Sequence, residues 1–62
     1  MSNLLGEITI EDQIACVRRE IDMRRRVYPR LVDIGKMKLD QSDREIAVME
    51  TVLTLLQSLR NS

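Results

Sequence analysis

Apolar side chains recur at three- and four-residue steps on both sides of one glycine, Gly35. That spacing is the period of an α-helix and leaves this chain few architectures. Before the glycine the series runs Ile10, Ile14, Val17, Ile21, Tyr28, Leu31 and Val32, with Arg24 standing where an apolar member is due. After it come Leu39, Ser42, Ile46, Met49, Leu53 and Leu56, and a second row, Val48, Val52, Leu55 and Leu59, runs beside them. The fold class predicted is all-α: an antiparallel two-helix hairpin over residues 10–60. Residues 1–9 form a flexible lead, and residues 61–62 a tail.

The helix ends are marked locally. Thr9 followed by Asp12 approximates a capping box, and Glu11 and Asp12 suit the positive end of the helix dipole, so the first helix starts near Ile10. Pro29 lies inside the periodic stretch, where it cannot donate to the carbonyl of Arg25. Either the helix ends near Tyr28, or it runs on, kinked, to about residue 34. The period that persists past Pro29 and the left-handed stop offered by Gly35 favour the second. The second helix is expected over residues 39–60, with Asp40 in its first turn.

So short a connection makes the two helices antiparallel neighbours. Folding about Lys36 and Met37 sets Tyr28 beside Ile46, Ile21 beside Leu53 and Val17 beside Leu56, and brings Arg24 near Glu50 as a half-buried ion pair. The predicted seam is Ile14, Val17, Ile21, Arg24 and Tyr28 against Ile46, Met49, Glu50, Leu53 and Leu56.

The apolar rows of the second helix cover about half of its circumference, more than one seam uses. Val48, Val52, Leu55 and Leu59 therefore point away from the first helix and form a predicted oligomer interface. Sixty-two residues with a lone cysteine and no histidine cannot add a disulfide or a zinc site to a thin core. Association is the remaining remedy. Two hairpins placed strip to strip make a four-helix bundle, most simply a two-fold homodimer. A different protein is the other occupant such a strip would take.

Few chemistries are open to such a chain. Without histidine no side chain has an ordinary pKa near neutrality. Cys16 lacks an activating base and falls in a small apolar row with Met23, Val27 and Ile34. The acidic residues sit at helical spacing from basic ones, Glu20 with Arg24, Asp22 with Arg26 and Asp40 with Arg44, as ordinary surface pairs. The two glycines form no phosphate-binding loop. No catalytic residue, metal ligand or cofactor is expected, and the protein is read as not an enzyme. The most apolar stretch, Ile46 to Leu59, is broken by Glu50 and Gln57 and falls short of the ~20 residues a bilayer needs. With a lone cysteine and nothing resembling a signal peptide, the expected location is a reducing cytoplasm.

One charge block stands out. Ten basic and ten acidic residues cancel over the chain, yet residues 18–38 hold eight basic and three acidic groups, a surplus of five. Arg19, Arg26 and Arg30 share the helix face opposite the seam. That face is either simply solvated or a phosphate-contacting stripe for nucleic acid, which would bind with steep salt dependence. The neutral total, the interleaved Asp22 and Asp33, and the absence of stacking aromatics beyond Tyr28 weigh against the stripe.

Four segments carry a resemblance: Ile14-Ala15-Cys16-Val17-Arg18-Arg19-Glu20, Arg24-Arg25-Arg26-Val27-Tyr28-Pro29-Arg30, Gly35-Lys36-Met37 and Glu45-Ile46-Ala47-Val48-Met49-Glu50. Together they make residues 13–56 similar to a family of very small proteins encoded by phages and prophages, most specifically through the Arg-Val-Tyr-Pro-Arg run. The resemblance implies origin and no activity. Family members place threonine where Lys38 stands and tryptophan where Leu31 stands. The function expected is that of a non-enzymatic, self-associating interaction or accessory protein, with a nucleic-acid-binding accessory protein as the alternative.

Overall fold

The computed structural model describes residues 7–62. Most of the predicted flexible lead, residues 1–6, lies outside the described residues. Among those described are two long helices, α1 (Ile10–Asp33) and α2 (Leu39–Arg60), and no strand. They pack against each other as a helical hairpin.

α1 begins as its sequence dictates. Thr9 is extended, its Oγ1 accepts from the Asp12 N–H at 3.1 Å, and Asp12 Oδ2 accepts from the Thr9 N–H at 3.1 Å. Two of the donors left without helical partners are thus satisfied reciprocally. The helix runs through Pro29 to Asp33, which resolves the alternative left open by the proline. One lost hydrogen bond on an exposed face costs less than giving up the packed turn beyond it.

The stop after Asp33 is a Schellman arrangement around Gly35, whose φ of +76° suits a residue without a Cβ. The Lys36 N–H donates to Leu31 O at 2.8 Å, and the Gly35 N–H to Val32 O at 3.1 Å. Lys38 then caps α2 in extended conformation without a side-chain hydrogen bond. The Ser42 N–H donates to its carbonyl at 3.0 Å.

The core is small. Ile14 and Ile21 of α1 and Ser42 of α2 are buried, and the rest of the seam is half-buried. Ser42 is the small residue that lets the helices approach near the turn. Leu39, placed in the seam series by its spacing, is instead exposed at the first position of α2.

Candidate interaction site

The two flanks of the seam differ, and Arg24 and Arg25 define them. Adjacent on α1, they stand about 100° apart around the helix and leave the seam on opposite sides. Arg24 Nε donates to Glu20 Oε1 at 2.9 Å, and its Nη1 donates to the backbone carbonyl of Glu45 at 3.0 Å, with Glu45 Oε1 at 4.0 Å. Its guanidinium also lies over the Tyr28 ring, 5.7 Å from the centroid. The hydrogen bond to Glu20 raises the pKa of Arg24 above its ordinary value, so the charge is fixed.

Arg25, on the other flank, pairs with Glu50. This corrects the expected pairing of Arg24 with Glu50. Glu45 and Glu50 are five residues apart and so about 140° apart around α2. One carboxylate serves each flank, and Arg24 reaches the nearer. Of the three surface pairs expected at helical spacing, Glu20–Arg24 forms, while among the described residues Asp22–Arg26 and Asp40–Arg44 do not come within 4.0 Å.

On the Arg25–Glu50 flank a shallow depression of ≈ 180 Å³ is lined by Arg18, Ile21, Asp22, Arg25, Glu50 and Leu53. Ile21 and Leu53 both border it. Val17, Tyr28, Ile46, Met49 and Leu56 are half-buried along the seam, as are Arg24 and Glu50. The other flank is apolar. Stepping from Glu45 by three, four, three and four residues gives Val48, Val52, Leu55 and Leu59, all on the Glu45 side of α2. They are 45%, 37%, 60% and 58% exposed in the single chain.

Sequence reasoning missed the matching stripe on α1. Stepping from Glu20 by four, three, four and three residues gives Arg24, Val27, Leu31 and Ile34. Because Arg24 bonds to Glu45, this stripe and the α2 row border the same flank. Val27 and Ile34 are exposed and Leu31 is half-buried. The spacing split it: Leu31 was counted in the seam series, and Val27 and Ile34 in a minor row with Cys16 and Met23 that carried no flank assignment. This flank therefore carries two apolar patches on a diagonal, one on the turn half of α1 and one on the open half of α2, with the Glu20–Arg24–Glu45 cluster between them.

No family model, curated protein or solved structure matches this chain.

Arg19, Arg26 and Arg30 are exposed on the back of α1, and among the described residues no carboxylate lies within 4.0 Å of any of them. Cys16 is exposed as well. Among the described residues there is no group of three or more histidine, cysteine or carboxylate side chains arranged to hold a metal. No described helix is long and apolar enough to cross a membrane.

Proposed function

We propose that this protein is a non-enzymatic, self-associating helical module of phage or prophage origin. In this reading it acts in the host cytoplasm as an accessory or interaction protein and requires no cofactor. Its first partner is a second copy of itself, the pair forming a four-helix bundle. A different protein presenting a similar helical face is the other partner this surface suits. The observation that carries the reading is the exposed row Val48, Val52, Leu55 and Leu59 on a helix whose opposite face already packs in the seam. A contiguous apolar strip of that kind is a contact surface awaiting an occupant. The resemblance of residues 13–56 to the small phage-encoded family supports the origin.

Sedimentation equilibrium tests it. The wild-type chain sediments as a dimer at micromolar concentration, and Leu55→Glu shifts it toward monomer with loss of helicity. A folded wild-type monomer under those conditions refutes the reading.

A second reading is favoured by the back of α1, where Arg19, Arg26 and Arg30 are exposed without acidic partners. There the protein is a nucleic-acid-binding accessory factor whose arginines contact phosphates. Fluorescence anisotropy with duplex and single-stranded DNA at low salt separates the two. Binding that weakens steeply with salt and with Arg26→Ala supports the second reading, and no binding at high micromolar protein removes it.

A further inference from the structure

We infer that the second copy docks on the Arg24–Glu45 flank with its rod reversed, so that the turn of one hairpin lies over the open end of the other. This rests on the self-association proposed above and adds the face and the direction. Two flat faces related by a two-fold axis lying in their interface have two arrangements. With the axis along the rods, the turns coincide, and each α2 row covers the N-terminal half of the other copy's α1. That segment offers Gln13, Cys16, Val17 and Glu20 on this flank, a poor match for valines and leucines. With the axis across the rods, each helix packs antiparallel on its own counterpart, and the α2 row meets itself.

Register favours the second arrangement. The row from Val48 to Leu59 is centred between Leu53 and Thr54, and Leu53 borders the same depression as Ile21. Ile21 is next to the midpoint of α1, which spans Ile10–Asp33. A two-fold axis at that level superposes the α2 row on its copy, while Val27, Leu31 and Ile34 of α1 meet the N-terminal half of the copy's α1. It also brings the Glu20–Arg24–Glu45 clusters of the two copies close together, where each guanidinium has carboxylates of both chains within reach.

Charge points the same way. Dividing the rod at that axis, the turn half (residues 22–53) carries seven basic and six acidic side chains, and the remainder of the chain carries three basic and four acidic. The halves are +1 and −1. Reversed rods set unlike halves together, whereas rods in the same direction set like halves together.

The test uses the full chain with Cys16→Ala and Lys36→Cys, which leaves one spin-label site in the exposed turn, outside the proposed interface. Double electron–electron resonance is read beside sedimentation on the same sample. Reversed rods separate the two labels by about 35 Å or more, since 24 helical residues span about 36 Å. Rods in the same direction bring them within about 20 Å, the scale of two helix layers. A dimer with the long distance supports the inference. A dimer with the short distance overturns it and leaves self-association standing, and a monomer overturns both.

Discussion

Arg24 of α1 donates from Nη1 to the backbone carbonyl of Glu45 on α2 at 3.0 Å while its Nε holds Glu20. An arginine at a seam position is thus retained by a bond that crosses the hairpin to main chain. Ionic groups in such places often specify register more than they stabilise.

Arg24→Ala removes the cross-helix bond, the pair with Glu20 and the contact with Tyr28 together. Hydrogen bonds of charged groups contribute about 1.5–3 kcal/mol each when well made, and partial exposure lowers that here. Urea denaturation should show a loss of about 1–2 kcal/mol. Arg24→Lys should recover less than half of it, because an ammonium cannot bridge Glu20 and the Glu45 carbonyl in the same planar geometry.

Local signals in the sequence were the legible ones. Thr9 with Asp12 fixed the start of α1 and Gly35 its end, since caps and left-handed stops depend on residues a few positions apart. Relations between the helices were legible only to within about a turn and a half. Arg24 was expected at Glu50 and bonds at Glu45, because helical spacing states which face a residue occupies and not how far the partner helix slides or tilts. The α1 stripe of Val27, Leu31 and Ile34 was hidden for the same reason: its flank is defined only once Arg24 has a partner.

Lys38 occupies the cap position of α2 in extended geometry, φ −82° and ψ 147°, and its side chain accepts nothing from the first turn. The backbone is already in the conformation a capping hydroxyl requires. Lys38→Thr therefore stabilises the protein by about 1 kcal/mol, seen as a raised midpoint in thermal or urea unfolding at unchanged helix content. No gain would mean that the α2 N-terminus finds solvent as good a partner as a hydroxyl.

Pro29 sits within an unbroken helix and is exposed. Its ring crowds the preceding turn, and the carbonyl of Arg25 receives no helical bond from it. Pro29→Ala restores that bond. Interior proline costs roughly 3 kcal/mol relative to alanine in a helix, and the proline's stiffening of the unfolded chain offsets part of this. The expected net gain is about 1–2 kcal/mol; a loss instead would show that the proline is needed for the seam near Tyr28.

Gly35 has φ +76°, and a Cβ built on it meets nothing within 4 Å. The position is thus governed by backbone conformation without steric crowding. Gly35→Ala should cost about 1–2 kcal/mol, the left-handed penalty for an L-residue, and Gly35→Asn distinctly less. Equal losses for the two would point to a role for the turn other than conformation.

If the exposed row on α2 is covered by a second copy, folding and association are one equilibrium, and thermal stability depends on concentration. Each tenfold rise in protein concentration adds about 1.4 kcal/mol to a bimolecular folding reaction. For a dimer of chains this size, that raises Tm by roughly 5 °C. Calorimetry over a hundredfold range should therefore show a shift of roughly 10 °C for the wild type. Thr54→Glu, on the exposed face away from both the seam and the row, should leave the shift intact. Val52→Glu, on the row itself, should lower Tm at every concentration, because a buried unpaired carboxylate opposes the contact. A wild-type Tm independent of concentration would mean that the hairpin folds alone and that its apolar flank is stable in water.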